Sequence, residues 1–402
     1  MTPTRAAAII AECRLLSTFT EEPGRTTRRF LTPPVAQVHD HLRKRMIALG
    51  MTVSTDAIGN LRGLWTPPNA TGKHLVLGSH IDTVPNAGAF DGVLGVVLAL
   101  EWVRIAQQLG STQPIEVIAF TEEEGVRYAV PFLGSRAVTG TFDPRLLDLT
   151  DADSIPMREA IHHFGLDPTR IPEALLQDAE AYIEIHIEQG PILESENLPL
   201  AVVTGIVGQS RLGFRFTGQA NHAGTTPMHL RRDALAAAAE WMHEVESLAR
   251  QTEALVATVG KLIVSPGASN VIPGSVDLTL DLRHPHDAVR HHAVAACIRH
   301  AQAIAQHRGL TVSHSLKLDQ PTVPMNPALS ASLASAVEAA GYPLRHLPSG
   351  AGHDAMILAP FIPSAMLFLR SPGGVSHHPD ETVLEEDVEA ALRVGEAFFA
   401  HR

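Results

Sequence analysis

The chain has 402 residues, too long for one ordinary core, so two domains are expected. Apolar residues make up 45% and charged residues 18%, which excludes a disordered chain. A formal net charge of −12 argues against nucleic acid or an anionic membrane as partner; with only Cys13 and Cys297, no disulfide framework or thiolate metal site is possible, and a cytoplasmic location fits.

The opening MTPTRAAAIIAECRLL carries Glu12 and Arg14 in its short apolar patch. It reads as an amphipathic first helix, not as a secretory signal or a membrane span. A helix over 34–49 precedes Gly50. Short apolar runs at 75–78 and 115–120 read as strands, with a helix over 91–109 between them, and 181–187 alternates like a strand. This rhythm predicts a mixed, mostly parallel sheet with helices on its faces.

From about 209 the pattern changes. Strands are expected at 211–217, 255–264, 275–283 and 310–318. Long helices are expected over 227–250, with Pro227 at the start, and over 287–308. The order β-α-β-β-α-β is that of a ferredoxin-like α+β sandwich. Pro321 and Pro324 mark the exit, after which a helix at 327–340 and a strand near 365–369 resume the first pattern. The expected division is therefore a catalytic domain of 1–208 and 322–402, interrupted by an inserted domain of 209–321.

The chain holds 22 histidines against three Tyr and three Trp. Histidine is the commonest metal ligand and titrates near neutral pH. His162, His163, His291, His292, His300 and His307 lie in polar, helical-looking stretches and are given no role. Four other clusters follow predicted strands, where open α/β sheets form their sites. GSHIDTV (78–84) and FDG (90–92) offer His80 and Asp91, with Asp82 placed to hydrogen-bond the second imidazole nitrogen. TEEEG (121–125) puts adjacent carboxylates after a buried-looking strand, an arrangement that is costly without a counter-charge such as a divalent cation. One glutamate can then ligate while its neighbour takes a proton from water. IHIEQG (185–190) adds His186, and GVSHHPDE (374–381) adds a histidine pair.

Each cluster alone fits an ordinary capped or solvated loop. Together they supply His nitrogens and carboxylate oxygens suited to Zn²⁺, and equally to Mn²⁺, Co²⁺ or Ni²⁺. A shared aspartate implies two ions ~3.5–4 Å apart.

At these residues the sequence resembles the dinuclear-metal amidohydrolases that include allantoate amidohydrolase, N-carbamoyl-L-amino acid hydrolase and bacterial-type beta-ureidopropionase, within the aminoacylase/carboxypeptidase clan. The resemblance runs from EPGRTTRRFLTP (22–33) through the clusters above, GIVGQSR, NHAGTTPM, NVIPG, LDLRHP and SGAGHDA, to SHHPDE. It implies two divalent ions per subunit, one on His80 and His186, the other on Glu124 and His377, with Asp91 bridging. Glu123 would be the general base of a metal-bridged hydroxide, and His377 rather than His378 the last ligand, with His378 as fallback.

The resemblance also implies a substrate-binding set of Gln209, His222, Asn270, Arg283, Gly352 and His353. Arg283 could grip a substrate carboxylate in a bidentate pair. Gln209 and Asn270 suit a ureido group, and His222 could polarise the scissile carbonyl. As a turn or strand-end hydrogen bond for the two amides, or a surface ion pair for Arg283, the same residues would need no ligand. The family further implies that the inserted domain is a dimerisation domain and lid in a homodimer.

The expected activity is hydrolysis of the ureido C–N bond of a small carboxylate substrate, allantoate or an N-carbamoyl-L-amino acid. An N-acyl-amino acid deacylase or dipeptidase of the same clan is the alternative. A non-catalytic binding protein ranks last, because all five ligands and Glu123 are present.

Overall fold

Strands covered on both sheet faces are buried along most of their length, and four such strands form the centre of one sheet. In the computed structural model, which describes residues 4–400, Ile115–Phe120, His74–His80, Ala179–Ile187 and Ser364–Leu369 lie side by side in that order, and each neighbouring pair is parallel. Every residue of the first and last of these strands is buried. The margins make the sheet mixed. Leu61–Trp65 pairs antiparallel with Ile115–Phe120, and Leu200–Ile206 antiparallel with Ser364–Leu369.

Helices supply the cover. Val93–Gln108 is buried along nearly its whole length. Its Trp102 stacks on Phe398 of the helix Glu385–Ala400, with ring centroids 5.8 Å apart, and donates to the Ala391 carbonyl at 3.1 Å. Arg5–Ser17 buries Ala6, Ile9, Cys13 and Leu16, the three- and four-residue spacing of one helix face. No helix among the described residues is long and apolar enough to cross a membrane.

The chain divides into two units: one runs as far as Thr204 and resumes at Pro324, and the other is Gly205–Val323. The smaller unit has strands in the order Leu262–Ser265, Ser275–His284, Gly208–Thr217, Thr311–Gln320, each pair antiparallel. With the helices Ala234–Gln251 and Asp287–His307 the elements follow the chain order β-α-β-β-α-β that the sequence predicts. Burial alternates along Gly208–Thr217 and Ser275–His284, because one sheet face packs against the helices Ala234–Gln251 and Asp287–His307. Trp241 anchors that core, with its ring 4.4 Å from Phe214 and its N–H on the Cys297 carbonyl at 2.9 Å.

Two expected elements differ. The first long helix begins at Ala234, not at Pro227, because Asp233 caps it: its Oδ1 accepts the amides of Leu235 and Ala236. The expected strand over 255–264 is two pieces, Val256–Thr258 and Leu262–Ser265. Both pair with Ser275–His284, but the register slips by one residue between them, a bulge around Gly260.

Each unit buries one free cysteine: Cys13 in the larger core, Cys297 in the smaller.

Candidate metal centre and substrate residues

Parallel strands bring their carboxyl ends to one side, and the candidate ligands sit there. His80 is the last residue of its strand and pairs with Phe120, three residues before Glu123. His186 is next to last in its strand and pairs with Phe368. Asp91 precedes the helix Val93–Gln108. The intervening Gly92 has φ 65°, and a Cβ there would lie 2.5 Å from the His80 ring, so only glycine lets the aspartate loop close on that imidazole.

The histidine tautomers follow from their partners. His80 Nδ1 meets the Asp82 carbonyl at 3.0 Å, and His186 Nδ1 the Ile187 carbonyl at 2.9 Å. A carbonyl only accepts, so each Nδ1 carries its hydrogen and a neutral ring presents a bare Nε2. These Nε2 atoms face each other at 3.4 Å, and Asp91 Oδ1 lies 3.5 Å and 3.2 Å from them. Two imidazole nitrogens and a carboxylate oxygen converging in a site only 1–3% exposed call for positive charge, from protons on the rings or from a cation. A divalent metal ion fits this donor set.

Proton affinity follows the same field. Burial disfavours charge on His80, but the Asp91 hydrogen bond and the charges of Glu123 and Asp82 outweigh it and hold its pKa well above the ordinary value. Against the cost of burial, contacts from His186, His377 and His80 hold Asp91 well below the usual carboxylate range.

On the other side of Asp91, His377 Nε2 lies 3.2 Å from Oδ2 and 3.3 Å from Glu124 Oε1. These two contacts push the His377 pKa up to about 10. Ligand atoms of His80, Asp91 and His186 thus cluster, as do those of Asp91, Glu124 and His377, and His80 also groups with Glu123 and Glu124. His378 joins none of these clusters; its nearest charged partner is Asp380, at 3.5 Å. His377 reaches inward from a left-handed backbone, φ 56°, a conformation costly for a non-glycine residue.

Asp82 works differently from the expectation. Its carboxylate lies 3.8 Å from His80 Nδ1, and its backbone carbonyl takes that hydrogen bond instead. The carboxylate accepts the amides of Glu123 and Glu124, both at 3.0 Å, and so fixes the glutamate loop. Glu123 is buried. Burial, opposed by His80 but reinforced by Glu124, Asp354 and Asp82, raises its pKa well above the usual range. A carboxylate so placed holds a proton readily.

The substrate candidates are less enclosed. Arg283 and Gln209 face each other across the sheet of the smaller unit. Both bind Asp281: Arg283 donates at 2.9 Å and 3.0 Å, Gln209 at 2.6 Å, and Arg211 adds a third donor at 3.0 Å. His222 and Asn270 are exposed and adjacent, because Asn221–His222 pairs with Val271–Ile272 and the Ala223 amide donates to the Asn270 carbonyl at 2.9 Å. The Gly224 amide donates to His222 Nδ1 at 3.1 Å, which leaves the hydrogen of a neutral ring on Nε2.

In the larger unit His353 is buried. Its ring lies edge-on to His186 at 4.5 Å, its Nε2 meets Ser349 Oγ at 2.9 Å, and burial and the His186 charge hold its pKa well below the ordinary value. Gly352 lies against the Phe132 ring.

Sequence reasoning missed Asp281, Gln189 and Glu381. Gln189 Nε2 lies 3.2–3.3 Å from the carboxylate oxygens of Asp91 and 3.3 Å from His377 Nε2. Gln189 and Glu381 stand inside motifs already singled out, and Asp281 stands two residues before Arg283, on the same face of its strand.

Residues 76–401 match the family described as peptidase family M20/M25/M40. The chain is 41% identical to an N-carbamoyl-L-amino acid amidohydrolase of Geobacillus stearothermophilus, over 92% of each protein. It is 37% identical to an allantoate amidohydrolase of Escherichia coli, over 94% of this chain and 93% of that one. Among solved structures, an amidase of the hydantoinase/carbamoylase family from Burkholderia multivorans superposes with a TM-score of 0.92 at 34% identity, covering 98% of this chain and 97% of the other.

Proposed function

The chain belongs to peptidase family M20/M25/M40, and on that premise we propose that it is a metal-dependent amidohydrolase that cuts the ureido C–N bond of allantoate or an N-carbamoyl-L-amino acid. The carrying observation is the convergence of the His80 and His186 Nε2 atoms on each other and on the shared Asp91. Relatives named for both substrates support the reaction class.

In this reading His80 and His186 hold one ion, Glu124 and His377 the other, and Asp91 is common to both. Two divalent ions (Zn²⁺, or Mn²⁺, Co²⁺ or Ni²⁺) would supply Lewis acidity and make water nucleophilic near neutral pH. Glu123 takes the proton of the attacking water and later returns it to the leaving nitrogen. The bond between the carbamoyl carbon and that nitrogen breaks, and the carbamate half decomposes to carbon dioxide and ammonia. His222 donates from Nε2 to the carbonyl oxygen as it gains charge. Arg283 receives the substrate carboxylate, and Gln209 and Asn270 the ureido group, with Gly352 and His353 completing the set. The segment 209–321 is proposed to join two subunits in a cytoplasmic homodimer.

A metal-reconstituted activity panel tests this reading: allantoate, N-carbamoyl-L- and D-amino acids, N-carbamoyl-beta-alanine and N-acetyl amino acids. Ammonia release from allantoate or an N-carbamoyl-L-amino acid is expected. Release of acetate alone would replace the reading with a deacylase.

A further inference from the structure

We propose that Glu381 is a positioning residue of the metal centre, locking the loop that carries Asp91 to the loop that carries His377. The proposal rests on the ligand reading above and assigns a role to a residue that reading leaves unused. Glu381 is 4% exposed and four residues beyond His377. Its Oε1 accepts two backbone amides, Phe90 and Asp91, each at 3.0 Å, across 290 residues of sequence. Its Oε2 accepts the Ser376 hydroxyl at 3.2 Å. Ser376 Oγ in turn receives Gln189 Nε2 at 3.2 Å, and the same amide group reaches Asp91. The chain of contacts therefore closes on itself, from Asp91 through Glu381, Ser376 and Gln189 back to Asp91.

The residue type suits the task. Three donors converge on one side chain, and an ionised carboxylate is acceptor-only, with room for all three. Glutamine would turn an NH₂ toward either the amides or the hydroxyl. Gly88 closes the space around it: a Cβ there would lie 2.4 Å from Glu381 Cβ and 2.5 Å from Oε1. The need is specific to this side of the centre. His80 and His186 are buried within strands, whereas the His377 side chain is 48% exposed on a loop. Packing holds the first pair, and a tether must hold the last.

The test uses the full chain, stripped of metal and titrated with Zn²⁺ by calorimetry, with the absorption spectrum of the Co²⁺ form as second readout. Glu381→Ala should weaken one ion by roughly 10–100-fold, the usual cost of losing a group that orients a ligand, while the other ion changes less. The Co²⁺ spectrum should change with it, and Glu381→Gln should recover part of the loss. Gly88→Ala, which displaces Glu381 without removing its charge, should act in the same direction and serves if the Ala variant fails to fold. A folded Glu381→Ala protein with both affinities and its spectrum unchanged overturns the proposal. So does equal weakening of both ions with a lower Tm, the mark of a purely structural cap. His377→Ala separates the two layers. If it loses one ion while Glu381→Ala loses none, only the positioning role falls. If it keeps both ions, the ligand reading falls and the proposal with it.

Discussion

The two units hold their candidate residues in opposite ways. In the larger unit His80, Asp91, Glu123 and His186 are buried beside the carboxyl ends of parallel strands; backbone carbonyls fix both imidazoles, and the Asp82 carboxylate fixes the glutamate loop. In the smaller unit His222 and Asn270 are exposed at a two-stranded ribbon, and Gln209 and Arg283 both donate to the Asp281 carboxylate. His80, His186 and Glu123 sit against the core, where a shift disturbs the packing. Gln209 and Arg283 are held instead by side-chain contacts on a partly exposed sheet.

The sharpest way to break this contrast is at the chemical end. Glu123→Gln should lower kcat by roughly 10²–10⁴-fold, the range for loss of a general base, with metal content and Tm unchanged. Near-normal kcat would move the base elsewhere and remove the distinction.

At the selective end a smaller effect of another kind is expected. Asp281→Asn should raise KM for carboxylate substrates by about tenfold, equivalent to ~1.4 kcal/mol, with kcat little altered. The corresponding substrate carboxamides should not feel the change. A fall in kcat instead would place Asp281 with the rigid machinery.

The smallest effect concerns stability. Burial and the nearby Arg43 push the pKa of His39, in the larger unit, down to about 4, and its ring lies edge-on to Phe164 at 5.7 Å. Unfolding restores the ordinary value near 6.5, so the unfolded chain takes up a proton between those limits. Stability from a neutral His39 is thus present above pH 6.5 and lost as pH falls toward 4. Urea unfolding followed against pH should show this slope in the larger unit. His39→Leu should flatten it, and an unchanged slope would assign it to another group.

Much of this architecture can be read from the sequence, for a physical reason. Parallel strands buried on both faces are continuous apolar runs, so 75–78 and 115–120 announce themselves, and His80 and TEEEG stand at their ends. The strand Leu61–Trp65 escapes notice because its apolar residues are interrupted by Arg62 and Gly63. The helix start at Ala234 is hidden by Pro227, a signal as good as the Asp233 cap but not used. At the site, residue types are legible while the atoms in use are not. Nothing in HxD tells that the Asp82 carbonyl takes the imidazole and its carboxylate the glutamate amides. Glu381 is similarly opaque, since its partners at 90 and 91 lie 290 residues away and only folding joins them.

The distribution of the two cysteines gives the molecule a built-in pair of reporters. Burial raises both thiol pKa values, that of Cys297 to about 11, so neither is a ready nucleophile in the folded chain. An alkylating reagent can reach Cys13 only when the larger core opens and Cys297 only when the smaller one does. The mass added at each position over time, with no engineered label, therefore measures how often each half of the protein comes apart independently of the other.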